Sequence, residues 1–107
     1  MNRTKSAATT NATLLKASAG KIIAVIAHNT AGYDVYLKFY DKAAAPTVGA
    51  DTPIITLRLP TGQTFIWEPP SPKRLFNGIA FAITKNAADS DATAVAAGDL
   101  LLTIDYG

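Results

Sequence analysis

No cysteine occurs in this sequence, which excludes a disulfide framework, a thiolate metal site and a cysteine nucleophile. Stability has to come from packing or from neighbouring chains. Histidine is almost as scarce. His28 is the only one, and it stands in or at the end of an apolar run. That leaves no second imidazole for a metal site of the usual kind and no clear base for a hydrolytic triad. Glu68 is the only glutamate, and prolines follow it directly. The serines, Ser6, Ser18, Ser71 and Ser90, all occupy turn or loop contexts. The sequence has no G-x-S-x-G, no P-loop and no G-x-G-x-x-G. Neither catalysis nor a cofactor nor a metal site is expected.

Charge is also sparse. Charged residues make up 17% of the chain and the formal net charge is +2. The bases are spread along the sequence; only Arg3 with Lys5, and Lys73 with Arg74, come close together. Nucleic-acid binding needs a clustered basic stripe, so nucleic acid is not an expected partner. The most apolar run, Ile22 to Ala27, falls far short of the roughly 20 residues of a spanning helix, and no membrane partner is expected. The run follows a polar stretch containing Lys16 and Lys21, unlike a signal peptide. The expected location is the cytoplasm or an assembly built there.

Hydrophobic residues, by contrast, reach 49%, too many for a disordered chain. A chain of 107 residues is one domain with a single core. A surface left mainly to Thr, Ala, Asn and Gly suits protein contact, since interface cores are depleted in charge.

Residues 1–12 are small and polar without periodicity and read as an extended arm, which would order on a partner. From Thr13 to Gly107 the pattern is strand, turn, strand. Strands are expected at Thr13–Ala17, Lys21–Asn29, Asp34–Asp41, Ile54–Leu59, Gln63–Glu68, Ile79–Thr84 and Asp99–Tyr106. Val35, Leu37 and Phe39 alternate with Tyr36, Lys38 and Tyr40, the period-two signal of a half-buried strand. Ile79, Phe81 and Ile83 oppose small Ala80 and Ala82; Leu100, Leu102, Ile104 and Tyr106 share one face. Ile22, Ile23, Val25 and Ile26 suggest burial on both faces of their strand. The long Ala43–Pro53 loop is expected to cross between sheets, and Pro60-Thr61-Gly62 to close a hairpin. Pro69-Pro70-Ser71-Pro72 cannot join an internal ladder. About seven strands with little helix give an all-β antiparallel sandwich, jelly-roll or immunoglobulin-like.

Phe39, Phe65, Trp67 and Phe81 are read as core. Tyr36 and Tyr40, on the opposite face of their strand, are read as exposed. Such tyrosines suit either a neighbouring subunit or a carbohydrate platform, and composition favours the subunit. Asp89 and Asp91 lie in a small-residue loop without the spacing of an EF-hand and read as turn caps. The expected protein-contact residues are Arg3, Lys5, Tyr36, Tyr40, Arg58, Lys73 and Arg74.

Three strings carry a resemblance: Tyr36-Leu-Lys-Phe-Tyr-Asp-Lys42, Ala45-Pro-Thr-Val-Gly-Ala-Asp-Thr-Pro53 and Ala87-Ala-Asp-Ser-Asp-Ala-Thr-Ala-Val-Ala-Ala-Gly-Asp99. They resemble segments of small virion proteins of tailed bacteriophages, over about Thr13 to Gly107. The resemblance implies a β-sandwich on the phage particle, a capsid decoration or cement protein acting as a homotrimer. Its partners would be the major capsid protein and its own copies, and its place the capsid surface. The alternative is a receptor- or carbohydrate-binding module of a head fibre or tail.

Overall fold

Alternating apolar side chains on short segments need a second sheet to cover them, and that is how this chain folds. The computed structural model describes all 107 residues. Nine strands form: β1 (Asn2–Lys5), β2 (Thr13–Lys16), β3 (Gly20–Asn29), β4 (Val35–Tyr40), β5 (Ile55–Leu59), β6 (Thr64–Trp67), β7 (Lys73–Leu75), β8 (Ile79–Thr84) and β9 (Leu100–Tyr106). There is no helix. One sheet runs β1-β9-β3-β6, with β7 also paired to β3; the other runs β2-β8-β4-β5. Every pairing is antiparallel.

The pairs β1·β9, β2·β8, β3·β6 and β4·β5 nest inside one another, as in a single long hairpin folded over on itself. With β9·β3 and β8·β4 closing the two sheets, this is jelly-roll connectivity. It corrects two loop expectations. Residues 43–53 do not cross between sheets; they are the tip of the long hairpin, joining neighbours β4 and β5. Pro60-Thr61-Gly62 does not close a hairpin; it carries the chain from β5 in one sheet to β6 in the other. Gly62 takes the positive φ of 68° that this corner uses.

The seven expected strands are all present, and the all-β sandwich stands as read. The two additions are β1 and β7. The segment expected as an extended arm supplies an edge strand to its own chain, pairing Arg3 with Thr103 and Lys5 with Leu101. Ser6 fixes its end. Its N–H donates to Leu100 O at 2.9 Å, its hydroxyl donates to Ala96 O at 2.9 Å, and Gly98 N–H donates to its carbonyl at 2.7 Å. Removing residues 1–12 would therefore unpair the β9 edge rather than trim a free tail.

The core lies between the sheets. Ile22, Val25, Val35, Leu37, Phe39, Leu59, Ile79, Phe81, Ile83, Leu100, Leu102 and Ile104 are fully buried there. Phe65, Trp67 and Tyr106 are half-buried against them. The strand β3 is one-sided rather than buried on both faces. A register shift between Ile22 and Ala24 resets its alternation, so Val25, Ala27 and Asn29 point inward while Ile26 and His28 are exposed.

Candidate protein-contact surface

The two outer faces of the sandwich differ. On the β2-β8-β4-β5 sheet, Val48 of the loop 43–53 and residues 88–91 of the loop 86–98 lie over the centre of the outer face. Tyr40, Ala80 and Ala82 form a second buried cluster there with Val48 against it. Lys38 is fully buried beside them. Its Nζ donates to Ala88 O at 2.6 Å and to Asp91 O at 3.4 Å. Burial pushes the Lys38 ammonium below its ordinary pKa, and the charges of Asp91 and Asp89 pull the other way. The expectation of an exposed Tyr40 is corrected: it is 1% exposed, and its hydroxyl has no hydrogen-bond partner in the protein. Burial, the largest cause, raises its pKa. Tyr36 is half-buried, across from Arg58 on one side and Thr84 on the other.

The outer face of the other sheet is bare. Ile26 and Ile66 sit directly opposite each other and are 37% and 60% exposed. In the next row His28 faces Thr64, their Nδ1 and Oγ1 2.9 Å apart. Arg3 and Lys5 flank this face from the edge strand β1, both exposed. Lys73 and Arg74 lie elsewhere, on β7 beside the start of β3.

The expected contact residues thus fall into three places. Arg3 and Lys5 border the bare sheet. Tyr36, Tyr40 and Arg58 belong to the covered one. Lys73 and Arg74 mark a corner. Arg58 is already engaged: its guanidinium pairs with Asp34 Oδ2 at 2.7 Å and 2.9 Å. Sequence reasoning missed Ile66, although the alternation that put Phe65 and Trp67 inward also puts Ile66 outward. It missed Phe76, 74% exposed, which follows directly on the strand β7 that the proline run concealed. It also missed a cleft of ≈ 270 Å³ bounded by Lys16, Lys21, Arg74 and Phe76, because these residues meet only through the β3·β7 pairing.

Most acids are used to hold loops. Asp34 accepts from Thr61 N–H at 2.9 Å as well as from Arg58. Asp41 accepts from the N–H groups of Asn77 at 2.7 Å, Phe76 at 3.1 Å and Gly78 at 3.4 Å. Asp51 takes Lys42 at 2.6 Å and Thr47 N–H at 2.7 Å. Asp91 takes Thr93 and Asn86, each through backbone and side chain. These bonds set the pKa directions. The Thr61 N–H and then Arg58 lower Asp34; the Asn77 N–H is the main cause that lowers Asp41; the Lys42 ammonium and the Thr47 N–H lower Asp51. Burial raises Asp91, but its four hydrogen bonds together outweigh it.

All four carboxyls therefore titrate in the folded state below the ordinary value of 3.8. As pH falls, the unfolded chain takes up protons first, so the stability these carboxylates contribute is present above about pH 4 and lost below it. Urea midpoints are expected to hold between about pH 7 and 5 and to drop steadily below about pH 4. A midpoint unchanged to about pH 2.5 would show that the loop bonds do not survive in solution.

Asp99 accepts from Tyr33 OH and, at 3.1 Å, from Ala96 N–H. No group of three or more His, Cys, Asp or Glu side chains is placed to hold a metal ion. Comparison with known proteins finds no matching family, no similar curated protein and no similar solved structure.

Proposed function

We propose that this chain is a structural protein of a tailed-phage virion, a capsid decoration protein that binds the assembled shell and stabilises it. The observation that carries the reading is the asymmetry of the sandwich. Two loops cover the Tyr40–Ala80–Ala82 centre of one outer face, while the other presents Ile26 and Ile66 side by side to solvent with Arg3 and Lys5 at its border. An exposed apolar pair rimmed by charge is the make-up of a protein contact. The resemblance of the three strings supplies the partner, the major capsid protein, and the homotrimer. Binding to the lattice and not to free subunits would stabilise the shell by linkage, and trimeric repetition would strengthen weak contacts.

Jelly rolls serve both viral capsids and lectins, so the fold does not decide between shell and sugar. The carbohydrate alternative rests on a platform of Tyr36 and Tyr40 or on the Asp89–Asp91 loop. With Tyr40 covered and Tyr36 half-buried, that platform has lost its support.

The test is co-sedimentation with shells assembled from the major capsid protein of the same phage. The wild-type chain is expected to pellet with the assembled shells and to raise their melting temperature. Ile66→Asp is exposed enough to fold normally and is expected to weaken binding by about fivefold or more, since losing a central apolar contact costs more than about 1 kcal/mol. A wild-type chain that stays in the supernatant while binding on a glycan array would replace the shell reading with the receptor one.

A further inference from the structure

Where β3 begins, its ladder to β7 sets Lys21 directly opposite Arg74. Both are exposed. Like charges facing each other across a strand pair destabilise it, so this juxtaposition is a cost to the fold. Lys16, half-buried at the end of β2, lines the same cleft. The two ion pairs of the chain, Lys42–Asp51 and Arg58–Asp34, lie elsewhere. No Asp or Glu side chain pairs with any of the three, and Gly107 packs beside Lys21 at the same cleft. Asp41, which lies beside Phe76, is no substitute, because it is committed to the N–H groups of residues 76–78. That same bond set holds the turn on which Phe76 stands exposed beside the cleft.

Three cations without an Asp or Glu partner, converging on one ≈ 270 Å³ cleft with an exposed aromatic ring at its rim, are the complement of an anionic group attached to something apolar. We infer that this cleft binds carboxylates on an acidic segment of a partner protein, with Phe76 packing against a neighbouring apolar side chain of that segment. The inference rests on the reading that this chain binds protein surfaces, and it names the chemistry of one contact. A nucleic-acid groove would continue the positive charge along a track and offer successive rings for stacking. Here the cations close around one small volume and there is a single ring. A carboxylate accepts bidentately from Arg74 and draws Lys21 and Lys16 to the same charge. Binding relieves the repulsion that the free protein carries.

The test is a ¹H–¹⁵N NMR titration of the full chain with a hexaglutamate peptide carrying a C-terminal leucine, and in parallel with tripolyphosphate. The peptide is expected to give saturable shifts confined to residues 16–21 and 73–76. Arg74→Gln is expected to weaken binding by about tenfold, the loss of a charged hydrogen bond, and the Lys21→Gln, Arg74→Gln double variant to abolish it. Arg74→Gln should melt no lower than wild type, because it removes a like-charge pair; a lower melting temperature would assign Arg74 a structural role and overturn the inference. Shifts spread equally over Arg3, Lys5 and Lys85, or peptide binding unchanged in the double variant, would overturn it too. Tighter binding of tripolyphosphate at the same residues would overturn the carboxylate assignment. The double variant also separates this inference from the shell reading. If it loses the peptide yet pellets with shells, the cleft serves another acidic partner. If the wild-type chain binds the peptide but no shell, the shell reading fails and the cleft stands.

Discussion

Gly78→Ala is expected to lower stability by about 3 kcal/mol or more, the upper part of the range for forcing volume into a packed site. A methyl at this position would collide with the carbonyl oxygen of Lys42 and lie 2.7 Å from that of Lys16. Both obstacles are backbone, so no rotamer change relieves them. One belongs to the end of β2 and the other to the turn after β4. The glycine itself is clamped from the other side, because Asp41 accepts from its N–H and from those of Asn77 and Phe76. The chain passes here between the end of β2 and the turn after β4, and only a residue without a Cβ fits. For a domain of this size the loss corresponds to a fall in melting temperature of about 12–20 °C. Gly32→Ala is the control. Nothing lies within 4 Å of its added methyl, and its φ is outside the left-handed region. It should change stability by less than about 0.5 kcal/mol, or raise it slightly by stiffening the unfolded chain. Urea denaturation of the two variants decides. Equal, small effects would show that the close approach at Gly78 relaxes in solution.

The same junction explains what the sequence made legible and what it did not. Period-two alternation at Val35–Tyr40, Ile79–Thr84 and Leu100–Tyr106 located those strands and the side each turns to the core, because burial of one face imposes that spacing directly. Turn residues located the ends of strands. They did not say which sheet receives the next one. Pro60-Thr61-Gly62 has the chemistry of a hairpin, yet its chain crosses between sheets, because the choice is made by distant partners such as the β3·β6 register. The strand β1 escaped notice because Asn2-Arg3-Thr4-Lys5 has no apolar residue to alternate; only backbone bonds to β9 and the Ser6 network hold it. Alternation puts Tyr40 on the outer face of its strand, but the period does not say whether a loop covers that face. Ala80 and Ala82 carried the missed signal: small residues on the outer side of a central strand leave room for something to lie on them. The contact surface was half legible. Arg3 and Lys5, on a segment that reads as an arm, border the bare face only through the pairing of β1 with β9, and Ile26, Ile66 and Phe76 likewise needed the pairing to show that they are left uncovered.

Lys38→Ala should cost about 2–3 kcal/mol and unpin the loop that seals the covered face. The side chain is fully buried, and shortening it removes three packed methylenes at about 0.8 kcal/mol each, with a cavity left behind. Losing the ammonium offsets part of this, because its burial is itself unfavourable, as its lowered pKa indicates. The Ala88 carbonyl it serves belongs to an exposed residue, so water can replace the lost donor. Lys38→Met keeps the packing and discards the buried charge, and should stay within about 1 kcal/mol of wild type. Stability and loop anchoring then separate. Both variants lose the bonds to Ala88 and Asp91, so hydrogen exchange at the Lys85 and Asp91 amides, which bond to Thr93 O and Ala88 O, should quicken in both. Only the alanine variant should melt markedly lower. A methionine variant as unstable as the alanine one would show that the ammonium, not its stem, holds the sheet and loop together. The consequence reaches the function. With the loop released, Tyr40, Ala80 and Ala82 would meet solvent, giving the sandwich an apolar patch on each side. The alanine variant is therefore expected to self-associate at concentrations where the wild-type chain keeps its native oligomeric state, a difference that analytical ultracentrifugation measures directly.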